Sequence, residues 1–513
     1  MSHSQLSRRK FLGEASCAAV TSVPVLSTLL NLQLAGRVAA QGAPTDRKSL
    51  VCIFLSGGCD TYNVFVPTDP ERHAEYTASR SNLAHTTSAL VPLDHSDAGA
   101  TYGLHPSCTK LAELFNGIGG DPTLRRLSVV TNIGTLIERL ETKADFKNGH
   151  VPLPKALFSH RDQIEQWQTS VPQGQTVLSG WAGRAADILH ATANNEQTGG
   201  YYMPMGFSLS GNSALLTGTS EGQFAITSNG ALSFTSPLNS SGGVPVLSAK
   251  NAALKKLMTP GTPVGETYRN LFQQSLANTT GNAVERGEEF QSHFDTIESE
   301  NVDLSAVDNT IKTKLNLTGT TTTLGTVLNR AGFPNNSFGN NIRTAVKTIF
   351  IRDRLRLRRQ TLFIEYGGWD HHGELLVNQA GMLDYLDDAL YAYQLSLEAL
   401  GLAESTLSFT SSDFGRTLRS NGQGTDHAWS GHQFVFGAPV AGGGIHGTFP
   451  SLAIDGPDDI GRGGRLYPQL SVDEYIAELL QWFGITPTDM PTVLPNITNF
   501  YTPSGTPPLG FLT

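Results

Sequence analysis

The stretch Thr361-Leu-Phe-Ile-Glu-Tyr-Gly-Gly-Trp-Asp-His-His-Gly-Glu374 decides the fold. Residues 362–364 form a short apolar run, the pattern of a strand buried on both faces. Two glycines break it, and an acid and two histidines follow. In an open α/β sheet, ligands bind beyond the carboxyl ends of the strands. Carboxylate and imidazole groups gathered there are the donor set of a divalent metal. Asp370, His371 and His372 are therefore metal-ligand candidates, and spacing does not separate the two histidines.

Working outward, the layout recurs. Leu407-Ser-Phe-Thr410, read as a strand, leads into Ser411-Ser-Asp-Phe-Gly-Arg416, which puts Asp413 and Arg416 past a second strand. Gly424-Thr-Asp-His-Ala-Trp-Ser-Gly-His432 adds His427 and His432, again an unresolved pair, before a strand at 433–436. Nearer the N-terminus, residues 49–55 are continuously apolar and end in Ser56-Gly-Gly-Cys-Asp60. Asp60 is a turn or capping residue on the plain reading; its match to the later strand ends makes it a ligand candidate. Leu157-Phe-Ser-His-Arg-Asp162 opens a helix. Ser159 reads first as its cap, with Asp162 three residues on. A hydroxyl at a helix N-terminus beside a metal also suits a nucleophile, with His160 and Arg161 close enough to assist.

Helical patterns are expected over residues 108–115, 340–359, 377–400 and 472–483, and a further strand over 127–131. This alternation argues for a parallel sheet. The arginines at 352, 354, 356, 358 and 359 read as a solvated helix face. Residues 200–260, rich in Gly, Ser, Thr and Asn, read as a β-hairpin insertion. The Pro-rich residues 486–513 read as an extended strap.

Net charge is −9, and residues 1–40 carry +3 of it, leaving about −12 for the rest. An acidic body argues against nucleic-acid binding, which needs Lys and Arg to neutralise phosphates. At the N-terminus, Ser7-Arg-Arg-Lys-Phe-Leu12 precedes an apolar run at 18–34 and Val38-Ala-Ala40. This resembles a bacterial twin-arginine (Tat) signal peptide over residues 1–40. It implies the Tat translocase as a partner and a periplasmic or secreted location. The run contains Thr, Ser, Pro, Asn and Gln, so it would span a bilayer poorly, and no later stretch has the ~20 apolar residues of a membrane helix. No stable membrane insertion after cleavage is expected. Cys52, Cys59 and Cys108 remain in the mature part, an odd number that excludes a disulfide framework. Three buried thiols are expected, with one Cys59–Cys108 bridge as the alternative in an oxidising compartment.

In chain order, Gly58-Cys-Asp60, Phe158-Ser-His160, Gly367-Gly-Trp-Asp-His-His372, Ser412-Asp-Phe-Gly-Arg-Thr417, Gly424-Thr-Asp-His427, Gly431-His432 and Tyr467-Pro-Gln-Leu-Ser-Val-Asp473 resemble the DUF1501 family. This is a bacterial Tat-exported family of largely unassigned function, and the resemblance covers residues 48–485. The family is similar to the alkaline phosphatase superfamily, which includes sulfatases. The resemblance implies a three-layer α/β/α sandwich with a mostly parallel sheet and metals at its carboxyl edge. It implies one metal shared by Asp60, Asp413 and Ser159, and a second held by Asp370, His372 or His371, and His427. Phe414 stands where the superfamily has a histidine. The first site would then be oxygen-only, favouring Mg²⁺, Ca²⁺ or Mn²⁺ over Zn²⁺.

The implied activity is metal-dependent hydrolysis of phosphate or sulfate esters, on an anionic small-molecule or polymer substrate. Ser159 would be the nucleophile, and Arg416 or Arg161 would hold the anion. Ser159-His-Arg lacks the context of a formylglycine sulfatase. The competing expectation is a non-catalytic exported metal-binding or assembly protein on a degenerate form of the fold.

Overall fold

The computed structural model describes residues 45–95, 99–174, 179–194, 196–197, 202–231 and 271–513. The signal-like residues 1–40 and the part of the expected insertion at 232–260 lie outside them. The central sheet contains β1 (Lys48–Ser56), β2 (Leu127–Gly134), β3 (Gly206–Ser208), β4 (Gln223–Ala225) and β5 (Arg359–Gly367). It also contains β6 (Thr406–Ser412), β7 (Gly431–Phe436), β8 (Ile445–His446) and β9 (Leu470–Ser471). Its order is β8-β2-β7-β6-β1-β5-β3-β4, with β9 also on β2. Among these strands only β7 runs antiparallel, to β6 and to β2.

β1 lies between β5 and β6, parallel to both, with Ser56 opposite Gly367 and Leu55 opposite Ser412. That register brings the carboxyl ends of β1, β5 and β6 to one edge. Along β1 the side chains alternate: Val51, Ile53 and Leu55 enter one apolar layer, and Leu50, Cys52 and Phe54 the other. A strand buried on both faces needs helices on both sides. The first layer contains residues of α2 (Thr109–Asn116), α6 (Ser337–Phe350) and α7 (Leu375–Ala399). The second contains residues of α4 (Trp181–Ala193) and α8 (Val472–Phe483). The remaining helices named here are α1 (Pro70–Arg80), α3 (His160–Thr169) and α5 (Leu271–Phe294).

Three expectations need correction. The helix expected to reach residue 359 ends at Phe350, and Arg359 opens β5. Its arginines are not a solvated face: Arg352 is buried and donates to Ser49 Oγ and Ser405 Oγ, at 3.0 and 2.7 Å. Arg359 is buried against the Phe483 carbonyl at 2.6 Å. Of the expected β-hairpin insertion at 200–260, the described part holds β3 and β4, which run parallel to each other, with β3 joining β5 and extending the main sheet; the rest lies outside the described residues. The C-terminal residues 486–513 are not an extended strap throughout, since Met490–Val493 and Ile497–Asn499 are helical turns; the end docks by its backbone, because the buried Glu478 of α8 accepts the amides of Leu509, Gly510, Phe511 and Leu512 at 2.6–3.0 Å. Cys52, Cys59 and Cys108 are buried free thiols, and burial pushes Cys52 up to about 12. No helix among the described residues is long and apolar enough to cross a membrane.

Candidate functional site: a histidine–aspartate cluster at the carboxyl edge

The edge where β1, β5 and β6 end is kept tight by glycine. Gly57 and Gly58 both have positive φ, at 119° and 75°. A Cβ on Gly57 would lie 2.7 Å from the Asp370 amide nitrogen, and one on Gly58 would lie 2.5 Å from the Phe414 ring. Only glycine lets the turn after β1 pass this close to the other two strand ends.

Three histidines from different segments meet there. His160 begins α3, His372 follows β5, and His427 precedes β7. The Nε2 atom of His427 lies 3.1 Å from that of His160 and 3.0 Å from that of His372. Asp370 Oδ1 lies 3.6, 3.1 and 3.3 Å from Nε2 of His160, His372 and His427. The ligating atoms of His160, Asp370 and His427 all fall within 4.8 Å of one another. Asp370 and His372 have nearly half-exposed side chains, at 47% and 45%, so the cluster opens to solvent.

The opposite ring nitrogens explain why the Nε2 atoms converge. His427 Nδ1 faces the Phe158 carbonyl at 2.8 Å. His160 Nδ1 faces Asp413 Oδ2 at 2.7 Å, and His372 Nδ1 faces Asp426 Oδ1 at 3.2 Å. With each Nδ1 donating its proton to an oxygen, the neutral form of each ring presents a lone pair at Nε2. Lone pairs at 3.0–3.1 Å repel unless a proton or a cation lies between them. The bond to Asp413, followed by its charge, raises the His160 pKa against the opposing effect of burial. Burial lowers the pKa of His427 despite the Phe158 carbonyl, and Arg416 and His160 add to the lowering. Burial pushes the Asp370 carboxyl up, but Arg416 and the neighbouring imidazoles hold it below its ordinary value.

The donor set fits a divalent metal. Tetrahedral bonds of about 2.0–2.1 Å place donor atoms roughly 3.3 Å apart, and the separations among His160, Asp370 and His427 run from 3.1 to 3.6 Å, with His372 reaching His427 and Asp370 at 3.0 and 3.1 Å. His160, Asp370 and His427, with His372 alongside, form a nitrogen-rich set that suits Zn²⁺ and its neighbours better than Mg²⁺ or Ca²⁺. The expected oxygen-only site does not form. An imidazole does reach Asp413, but it comes from His160 at the head of α3, with the Phe414 ring packed beside it at 4.8 Å.

The other predicted residues sit as follows. Asp60 is buried and turned away, bonding Arg80 of α1 at 2.5 Å and Thr425 Oγ1 at 3.2 Å. Asp413 is fully buried, and its Oδ1 accepts the Gly57 amide at 3.1 Å. Its place is behind His160. His371 is buried, and burial lowers its pKa. His432 is a core residue stacked on Phe449, with a centroid distance of 5.2 Å, and burial lowers it to about 3.

Arg416 is buried and already engaged. It donates to the carbonyls of Gly58 at 2.8 Å, Gly57 at 2.5 Å and Thr425 at 3.1 Å, and to Asp370. It ties strand ends together and fixes Asp370. Ser159 caps α3 by position only, since its Oγ donates to Asp162 Oδ2 at 2.7 Å. Arg161 is exposed. Sequence reasoning missed Asp426 and Arg80, and it gave His160 only an assisting role. The visible signal for His160 was its place beside Ser159 at a helix start.

The fold and the site define an α/β protein with a histidine–aspartate cluster at the carboxyl edge of a mostly parallel sheet. The family model "Protein of unknown function (DUF1501)" matches residues 260–460, a span that contains Asp370, His372, Asp413, Arg416 and His427, and this supports the family that the motifs resemble. No curated protein matches the chain. One solved structure, of Ps i-CgsB in complex with k-i-k-neocarrahexaose, aligns over 88% of this chain and 77% of its own, at 9% identity and a TM-score of 0.30. A likeness that low carries no argument.

Proposed function

We propose that this chain is an exported metal-dependent hydrolase of phosphate or sulfate esters, working at one metal centre held by His160, Asp370 and His427 with His372 beside them. The observation that carries the reading is the convergence of three Nε2 atoms and Asp370 Oδ1 on a solvent-open edge, each imidazole held by an oxygen at Nδ1. Bound there, a divalent ion would supply Lewis-acid stabilisation of an anionic ester and a lowered pKa for water. Asp413 and the Phe158 carbonyl hold His160 and His427 with Nε2 forward. Arg416 holds Asp370 ionised and in place. Ser159 is the nucleophile candidate, because Asp162 is in position to accept its proton. Export rests on the twin arginines Arg8 and Arg9 with the apolar run behind them.

A second reading is a non-catalytic exported metal-binding protein. It is favoured by Arg416, whose donors are taken up by carbonyls and Asp370, so that it is not available to clamp a substrate anion. The experiment is elemental mass spectrometry of protein purified without chelator, followed by a screen of phosphate and sulfate esters. About one equivalent of metal, lost in His427→Ala, together with ester turnover, supports the hydrolase. Metal without turnover supports the second reading. Absence of metal from the native protein removes both.

A further inference from the structure

Among the described residues, four arginines make neither an ion pair nor a side-chain hydrogen bond: Arg161, Arg419, Arg462 and Arg465. Arg161, Arg419 and Arg465 lie close in sequence or in space to residues of the histidine–aspartate cluster, and Arg462 shares the loop of Arg465. Arg161 follows His160. The Arg465 guanidinium sits 4.0 Å over the Phe158 ring, and the carbonyl of that same residue holds His427. The Arg465 Nε is buried without a partner. Arg462 stands in the same loop and is exposed.

Backbone bonds fix this loop to the site. Leu418 N donates to Gly464 O at 3.0 Å and Arg419 N to Gly463 O at 2.9 Å, while Thr417 N reaches Asp426 O at 2.9 Å. The stem of Arg419 lies alongside Gly463. Burial lowers the Arg465 pKa, with Arg462 adding to the effect and Asp426 opposing it, so Asp426 is felt without forming an ion pair.

In an acidic chain that pairs its other arginines so widely, three neighbouring guanidinium groups without an acidic partner leave their donors free for a ligand. Like charges repel, and the planar forks are shaped for sulfate or phosphate oxygens. We infer that Arg419, Arg462 and Arg465 form an anion-binding rim beside the cluster, and that the ligand is an oligoanion carrying a second sulfate or phosphate group next to the one at the centre. This inference rests on reading the centre as a site for an anionic ester. It moves the anion-holding role from Arg416 to residues outside the strand-end motifs.

The test is binding of dextran sulfate, inorganic polyphosphate and neutral dextran to the mature chain by calorimetry at low salt. The proteins compared are wild type, Arg465→Lys and the triple variant Arg419→Gln/Arg462→Gln/Arg465→Gln, each with and without EDTA, with circular dichroism to confirm folding. Wild type should bind one or both polyanions and not neutral dextran, and the stronger binder identifies sulfate or phosphate as the natural group. The folded triple variant should bind on the order of tenfold more weakly, with a shallower salt dependence. Arg465→Lys should lose part of the affinity, because the charge stays and the fork goes. Equal binding by the triple variant, or no polyanion binding by wild type, overturns the rim. If the protein holds no metal but the triple variant still loses binding, the metal centre fails and the rim stands.

Discussion

The carbonyl oxygen of Phe158 lies 2.8 Å from Nδ1 of His427, so this imidazole carries its proton on Nδ1 and turns a bare Nε2 toward Asp370, His160 and His372. His432, five residues later, lies in the core among Tyr62, Phe65 and Phe449. The two histidines should therefore fail differently. His427→Ala should abolish metal binding with little loss of stability. His432→Ala should retain about one equivalent of metal and lose roughly 2–4 kcal/mol, the cost of emptying a core ring site. Elemental analysis beside urea unfolding separates them, and metal loss in His432→Ala with full retention in His427→Ala would reverse the assignment.

Asp413 and Asp60 divide in the same way. Asp413→Asn presents an amide to His160 Nδ1 and favours the wrong tautomer. A 10–100-fold weaker metal affinity is expected, with unchanged stoichiometry at saturation. Asp60→Asn breaks a fully buried pair with Arg80. The expected cost is about 3–5 kcal/mol of stability, because Arg80 is left uncompensated, with metal affinity near that of wild type. Competition with a chromogenic chelator measures the first effect and denaturant unfolding the second.

Ser159→Ala removes a half-buried hydroxyl bonded to Asp162 at the head of α3, and stability should change by no more than about 1 kcal/mol. If Ser159 is the nucleophile, ester turnover should fall by orders of magnitude while metal content stays at one equivalent. Full turnover in Ser159→Ala would leave water as the attacking group.

Acid sensitivity follows from the buried histidines. Burial lowers His432 to about 3, and burial with help from His85 lowers His105 to about 3. Their folded pKa values lie below the ordinary histidine value of about 6.5. The stability they contribute is therefore complete above that value and is lost as pH falls toward 3. Asp473, which burial pushes up to about 6, works in the opposite sense, losing its contribution as pH rises from about 4 through 6. The clean measurement is thus a difference: the Tm of wild type should drop more steeply than that of His432→Gln between pH 6.5 and 4. Parallel curves would contradict it.

Much of the framework is readable along the chain because it depends on local chemistry. α8 begins where Ser471 and Glu474 form a capping box, and ends at Gly484 in a left-handed conformation, both marked by residue type. The strand ends at Gly57, Gly368 and Asp413 follow apolar runs that glycine or polar residues terminate. The arginines after Phe350 were misread because their partners Ser49, Ser405 and Asp46 lie far away in the sequence. Spacing within the helix could not show them.

Periodicity, glycine turns and acidic or imidazole side chains past apolar runs were enough to establish a mostly parallel α/β sheet and the edge that gathers polar groups. Which histidine faces outward depended on packing. His371 against His372, and His427 against His432, are separated by burial, which taxes a charged or ligating ring unless an oxygen holds its far nitrogen. His160 joined the cluster because β6 delivers Asp413 to its Nδ1 from 253 positions along the chain. Asp60 left it because α1 brings Arg80 to its carboxylate. Contacts of that range follow from how helices pack on the sheet, and no local pattern encodes them.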